Sequence, residues 1–325
     1  MLKVAVIGVG SMGRNHARVY ADLDQVQLVA VADSNAQAVE KVARKYNTKA
    51  YTNFLEVLND PTIDAVSIAV PTSMHKEVAL AALQKGKHVL LEKPIASTES
   101  EAQEIIACAK QHNVKLMIGH IERFNPAIKE LKRRLHRGDL GEIYKIDVQR
   151  IGPFPVRITD VGVITDLSVH DLDIISYLFG QEPIRMYAET QQRLHPHHED
   201  SVTALISYHN NALAVLNINY LSPTKTRQLK VFGKRGMFEV NYLTQDLYFY
   251  ENKAFSSDDW KSVSEGDMTL INFPKKEPLQ TEIEEFIQCI TQNSESPVSG
   301  EQGLQILKLA NLLSESAQSK KIIHL

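Results

Sequence analysis

The stretch from Val4 to Asp33 constrains the fold more than any other part of the chain. Val4 to Ile7 is a short continuous apolar run rich in β-branched residues, the pattern of a strand buried on both faces of a parallel sheet. Gly8-Val9-Gly10-Ser11-Met12-Gly13 follows at once, and the pattern beyond it predicts a helix over Arg14 to Leu23. Glycines at these three places suit a tight turn, close backbone approach to a pyrophosphate and close helix-to-strand packing. Ser11 and Met12 then stand at the amino end of the helix, where phosphates are held. A second apolar run, Leu28 to Ala32, ends in Asp33, about 20 residues beyond the last glycine, where a carboxylate accepts hydrogen bonds from an adenosine ribose. Ser34 and Asn35 follow rather than an arginine, so a 2′-phosphate would meet uncompensated negative charge, which favours NAD over NADP. Asp33 also suits the N-cap of a helix predicted over Ala36 to Tyr46, and the two roles can coexist.

The alternation continues. A strand over Asp64 to Val70 runs into Pro71-Thr72-Ser73-Met74-His75 and a helix over Lys76 to Lys85. Pro71 and Thr72 are placed to line a nicotinamide-ribose site, and His75 is either a cofactor neighbour or a capping residue. Gly86-Lys87-His88 then turns into what reads as the central strand, Val89-Leu90-Leu91-Glu92-Lys93-Pro94. That run delivers Glu92 and Lys93 to the carboxyl end of a strand, where ligands bind in open α/β sheets. A helix over Ser97 to His112 and a strand over Lys115 to Gly119 complete the series, which implies a doubly wound parallel sheet over residues 1–121.

With 325 residues there is room for a second domain. The formal net charge of −3 argues against nucleic acid or an anionic membrane as partner. Cys108 and Cys289 read as reduced thiols with no disulfide. No apolar run approaches the roughly 18 residues of a membrane span, and the first strand begins without a charged leader, so the cytoplasm is the expected compartment.

In residues 122–325 the helix predicted over Ala127 to Arg137 gathers Lys132, Arg133, Arg134 and Arg137 toward its end, where cations suit a helix carboxyl terminus. Ile143 to Ile151 alternates as a half-buried strand. In Asp166-Leu167-Ser168-Val169-His170-Asp171-Leu172-Asp173, a helix would place Asp166 and His170 on one face. A carboxylate beside an imidazole raises its basicity and fixes its tautomer, as general-base work requires; an ordinary capped helix fits the same residues. Asp171 and Asp173 are expected to contribute helix polarity or contacts to substrate hydroxyls. His195-Pro196-His197-His198-Glu199-Asp200 has the composition of a metal site, yet its proline and loop-like setting favour a solvated connection, and no metal is expected. Strands follow over Ser201 to Tyr208, Ala212 to Leu221, Arg227 to Phe232, Met237 to Asn241 and Leu247 to Tyr250, with a hairpin turn at Gly233 to Gly236. The final helices are predicted near Gln280 to Gln292 and Gly300 to Ser316.

With Gly8, Gly10, Gly13, Asp33, Pro71 and Glu92-Lys93-Pro94 together, the chain resembles the glucose-fructose oxidoreductase, inositol dehydrogenase and MocA (Gfo/Idh/MocA) family along its whole length. Glu-Lys-Pro is the most specific of these motifs. The resemblance implies an NAD-binding Rossmann domain at 1–121. It also implies an α+β domain at 122–325 with a large, mostly antiparallel sheet for substrate binding and oligomerisation, the C-terminal helices being able to pack back on the first domain. It implies Lys93 at the nicotinamide, a Lys93–Pro94 peptide that is often cis in relatives, and His170 as the proton-transferring residue accompanied by Asp166. Ser168 stands where relatives frequently carry glycine. A homo-oligomer, dimer or tetramer, is expected through the sheet.

Gly119 to Pro126 together with Gly152 to Arg157 and Asp160-Val161-Gly162 resemble the branch acting on nucleotide sugars, in particular UDP-N-acetylglucosamine 3-dehydrogenases. Those enzymes make a 3-keto sugar for a PLP aminotransferase in amino-sugar (lipid A or surface polysaccharide) biosynthesis. The resemblance thus implies NAD-dependent oxidation of a sugar secondary alcohol, with Lys93, Arg123, Asn125, Arg150, Arg157, Asp166 and His170 about the substrate. Arg123, Arg150 or Arg157 would pair with the UDP diphosphate, or serve only in structural ion pairs. An inositol or free-sugar dehydrogenase would share every catalytic residue. A non-catalytic NAD-binding sensor would not need Lys93, Asp166 and His170 together.

Overall fold

Short, uninterrupted apolar runs make strands that want cover on both faces, and the first such run is β1 (Leu2–Ile7). In the computed structural model, residues 1–155, 161–253 and 265–325 are described. They divide into two units, residues 1–121 with 277–308, and residues 122–276 with 309–325. The first unit continues through α1 (Ser11–Asp22), β2 (Val26–Ala32), α2 (Ala36–Tyr46), β3 (Lys49–Tyr51), α3 (Phe54–Leu58), β4 (Ala65–Ile68), α4 (His75–Gln84), β5 (His88–Glu92), α5 (Glu99–Gln111) and β6 (Leu116–Gly119). Its six strands are parallel in the order β3-β2-β1-β4-β5-β6, the doubly wound arrangement whose direction of winding reverses between β1 and β4. The strand that carries Glu92 is therefore fifth of six rather than central. Val4, Val6, Val66, Leu90 and Leu91 are completely buried, as strands covered on both sides require.

Residues 277–308 belong to this unit. The helix Pro278–Thr291 packs on α1, where Arg18 pairs with Glu277, and Ile118 N donates to Val298 O at 3.0 Å. In the helix Gly300–Ser319, an added Cβ at Gly300 or Gly303 would stand within 3 Å of Ile106 or Ile118, so these glycines permit the close approach. Cys108 and Cys289 are free and buried.

The second unit holds α6 (Pro126–His136), β7 (Ile143–Ile151), α7 (Val169–Phe179), β8 (Pro183–Gln191), β9 (Ser201–Tyr208), β10 (Leu213–Asn219), β11 (Thr226–Gly233), β12 (Gly236–Asn241), β13 (Asp246–Glu251), β14 (Met268–Leu270) and β15 (Ile323–His324). They form a nine-stranded sheet in the order β14-β13-β12-β11-β7-β10-β9-β8-β15. All pairs are antiparallel except β7 with β10. Burial alternates strictly along β12 and nearly so along β7, so one face is packed, with α6 and α7 contributing to its cover. The hairpin between β11 and β12 closes on Gly233 opposite Gly236, as the sequence predicts. No helix among the described residues is long and apolar enough to cross a membrane.

Candidate active site

The glycine loop joins β1 to α1. Gly8 has φ +86°, and a Cβ there would stand 2.6 Å from Ala69 O; a Cβ on Gly13 would stand 1.8 Å from Gly8 O. Both positions are closed to any side chain. At Gly10 a Cβ would meet nothing within 4 Å, so the backbone is open to a ligand. Helix α1 has no side-chain cap and no acidic residue in its first turn. Its uncapped amino end, which includes Ser11, Met12 and Gly13, offers unopposed partial positive charge suited to an anion. Asp33 Oδ2 accepts from Val9 N at 2.7 Å and Oδ1 from Asn35 N at 2.9 Å, tying the end of β2 to the loop while leaving lone pairs for a ribose. The N-cap of α2 is Asn35, which accepts from Ala38 N at 3.0 Å; Asp33 does not fill that role because it sits two residues too early. These residues fit a dinucleotide.

At the end of β5 the chain turns through a cis Lys93–Pro94 peptide. His75 is buried beneath this turn, with Nδ1 2.8 Å from Pro94 O and Nε2 3.1 Å from Val70 O. Burial pushes its pKa down, and a neutral ring has one N–H, which the shorter contact assigns to Pro94. His75 thus holds the turn from below. Pro71 is exposed and Thr72 half-buried at the start of a 3₁₀ turn leading into α4.

Behind Glu92 lies a polar chain that the sequence reading did not find. Tyr20 Oη is 2.8 Å from Ser67 Oγ, which is 3.1 Å from His16 Nδ1, and His16 Nε2 is 2.9 Å from Glu92 Oε1. One arrangement satisfies every member: Tyr20 donates to Ser67, Ser67 to His16, and His16 to Glu92. Burial opposes ionisation of Glu92, but the hydrogen bond from His16 and the charge of Lys93 outweigh it, so the carboxyl titrates below its ordinary value. Buried Glu282 brings a second carboxylate within 4.8 Å of this pair. Both nitrogens of His16 are already hydrogen-bonded, so the group acts as a network rather than a metal chelate. A signal existed: Gly13, His16, Ala17 and Tyr20 form the buried stripe of α1, and a histidine in such a stripe needs partners.

In the second unit, residues Ile164–Ser168 wind as a π-helical turn that runs directly into α7. The segment expected as one helix therefore opens with a wider π turn before α7. Asp166 Oδ2 accepts from Tyr220 Oη at 2.5 Å, and His170 is half-buried at the second residue of α7. Ser168 is buried, with its hydroxyl 3.4 Å from Val163 O. The segment after His195 anchors this turn: Glu199 accepts from Val163 N through its carbonyl and from Ile164 N through its carboxylate. His195 Nδ1 accepts from His197 N and His198 N, and Asp200 Oδ2 accepts from Arg193, Leu194 and His195 N. The polar atoms that suggested a metal site close a loop.

Two of the three arginines expected at a diphosphate, Arg123 and Arg150, are held inside the fold. Arg150 Nε and Nη2 lie 2.6 and 3.0 Å from Asp171, and Nη1 lies 3.0 Å from Glu122. Burial opposes the Arg150 charge, but Asp171 and Glu122 outweigh it and hold the guanidinium protonated. Arg123 makes the same kind of fork with Asp173, at 2.6 to 3.0 Å. Asp171 and Asp173 therefore serve as ion-pair partners inside the fold. Asn125 caps α6 and donates to Tyr242 O, while Arg157 lies outside the described residues, as do Val156 and Asp160. A cavity of about 320 Å³ remains in this unit, and its lining includes Phe154, Asp166, Leu167, Tyr220, Lys225 and Arg227. Neither Lys225 nor Arg227 was singled out in the sequence, where a Lys-x-Arg at a strand start has no distinguishing pattern.

Residues 2–120 match the NAD-binding Rossmann fold of the Gfo/Idh/MocA oxidoreductases, and residues 132–325 match the C-terminal alpha/beta domain of the same proteins. The chain belongs to the Gfo/Idh/MocA oxidoreductase family. As a member, it is an NAD-dependent dehydrogenase of the sugar and polyol class. It is 32% identical to the UDP-N-acetylglucosamine 3-dehydrogenase of Acidithiobacillus ferrooxidans over 95% of each chain. It is 24% identical to the myo-inositol 2-dehydrogenase of Thermotoga maritima over 100% of this chain and 98% of the other. A solved structure of the Acidithiobacillus enzyme superposes with a TM-score of 0.88 at 30% identity, covering 98% of each chain. Levoglucosan dehydrogenase in complex with NADH shares the Gfo/Idh/MocA fold at a TM-score of 0.87 and 21% identity, over 99% of this chain and 98% of the other.

Proposed function

We propose that this chain oxidises a secondary hydroxyl of a nucleotide sugar, with UDP-N-acetylglucosamine and its C3 hydroxyl as the substrate of choice. The observation that carries this reading is the 32% identity to a UDP-N-acetylglucosamine 3-dehydrogenase sustained over 95% of both chains. Three residues take roles. His170 accepts the hydroxyl proton as a general base. Asp166, fixed by Tyr220, orients the imidazole and favours its protonation. The Lys93 ammonium, on a turn braced by His75 and Glu92, stabilises the developing alkoxide. Bound NAD supplies the acceptor for the hydride that leaves the same carbon as the carbonyl forms. The 3-keto product is the substrate of a PLP-dependent aminotransferase, the compartment is the cytoplasm, and copies of the chain associate through the open face of the nine-stranded sheet.

The full-length match to a myo-inositol 2-dehydrogenase favours a second reading, an inositol or free-sugar dehydrogenase with the same residues. NADH formation from UDP-N-acetylglucosamine, with a glutamate-dependent aminotransferase removing the ketone, decides between them when compared with myo-inositol and glucose. Turnover confined to the uncharged polyols would overturn the nucleotide-sugar reading. His170→Ala should abolish turnover and leave NAD binding intact.

A further inference from the structure

Register sets two arginines face to face in the second unit. Arg227 at the start of β11 pairs across the ladder with Arg150 of β7, and like charges directly opposite one another are destabilising unless something separates them. Glu122 does so unequally. It is 3.0 Å from Arg150 Nη1 and 3.7 Å from Arg227 Nη1, so its carboxylate is shared and the Arg227 contact is longer than a hydrogen bond. Arg150 also holds Asp171 in a fork. The Arg227 side chain, with five donors and only 23% exposed, donates no hydrogen bond to any described residue. Exposed Lys225, which lines the same cavity, likewise makes none. Burial and then Arg150 push the Arg227 pKa down, and Arg227 in turn is the main cause that lowers Lys225.

Asp166, held by Tyr220, lines that same cavity. The space therefore has a carboxylate proposed to serve proton transfer and, along the same wall, two under-neutralised cations. We infer that Lys225 and Arg227 form an anion subsite that takes a phosphate of the substrate while the hydroxyl to be oxidised stands toward Asp166. This deepens the nucleotide-sugar reading and rests on it, since an anomeric diphosphate lies one sugar ring away from the ring hydroxyls. Inositol and glucose offer no charge for the pair. The subsite replaces Arg123 and Arg150, whose forks are closed by Asp173 and Asp171.

The test is calorimetric titration of the full-length protein with UDP, which needs no turnover, alongside steady-state kinetics with UDP-N-acetylglucosamine. Lys225→Gln and Arg227→Gln should each weaken UDP by about 10- to 100-fold, the range for a lost hydrogen bond between charged groups. Arg227→Lys should recover part of the loss, and added salt should weaken the wild type more than either neutral variant. Because Lys225 is exposed, Lys225→Gln keeps the test open if Arg227→Gln fails to fold. UDP affinity unchanged in both neutral variants, or no UDP binding by the wild type at millimolar concentration, overturns the subsite. UDP binding that depends on both residues without turnover of any UDP-sugar upholds it and removes the functional reading. Wild-type KM for UDP-N-acetylglucosamine in both variants does the reverse.

Discussion

His16 Nε2 lies 2.9 Å from Glu92 Oε1, so the first helix is bonded to the residue immediately before Lys93. Removing the imidazole leaves a buried carboxylate without its main partner. His16→Ala should cost about 3 kcal/mol in urea unfolding and lower kcat about tenfold through a loosened Lys93 turn. Glu92 titrates below its ordinary value of 4.5 in the folded chain. Its stabilisation is therefore complete above that pH and is lost as pH falls through the folded value. The variant should lose less stability than the wild type on acidification below about pH 4.5; equal acid sensitivity would sink the assignment.

His75 provides the opposite sign of charge and the same sign of slope. Burial lowers its pKa from 6.5, so the fold prefers the neutral ring and stability drains away as pH drops below 6.5 toward the folded value. Replacing it with a residue that cannot titrate should flatten this part of the curve. His75→Asn is expected to be less stable than the wild type by about 1 to 2 kcal/mol at neutral pH, with a shallower dependence between about pH 7 and 5. Thermal unfolding followed by circular dichroism over that range would read both.

The glycine loop separates a packing role from a ligand role within three residues. A Cβ on Gly13 would collide with Gly8 O, and one on Gly10 would point into open space. Gly13→Ala should destabilise the fold by about 3 kcal/mol or more, as forced overpacking does. Gly10→Ala should cost less than about 1 kcal/mol of stability yet weaken NAD at least tenfold, because the methyl stands where a phosphate approaches. Fluorescence titration with NADH, paired with urea melts, distinguishes the two; Gly10→Ala binding NADH normally would remove the loop from the cofactor site.

Arg150 and Asp171 form a pair whose side chains are 2% and 0% exposed. Arg150→Met strands Asp171 in the interior and should destabilise the chain by about 3 to 5 kcal/mol. Combining it with Asp171→Leu should recover much of that loss, since replacing both members with apolar residues of similar volume is often neutral. A double-mutant cycle measured by urea denaturation gives the coupling; additive losses would mean that the pair is not a unit.

Much of the first unit was legible because its information is local. The buried strands are continuous apolar runs, the turns are marked by glycine, and Asp33 and Lys93 fall at strand ends wherever the alternation is counted. The class of the second unit was legible for the same reason, since period-two alternation marks half-buried strands such as β7 and β12. What the sequence alone could not decide was which polar group meets which. Glu92 finds His16 across 76 residues, Arg150 finds Glu122 and Asp171 across 28 and 21, and Asp166 finds Tyr220 across 54. Hydrophobic periodicity says which face of an element is buried, but not which other element covers it. The insertion of β7 between β10 and β11, which sets Arg150 against Arg227, depends on long-range strand pairing. Side-chain partners inside the fold follow from that register, so the sequence by itself determined the cofactor loop and most elements, though not β3, α3, β8, β14 or β15, while tertiary structure decided which charges are closed in ion pairs.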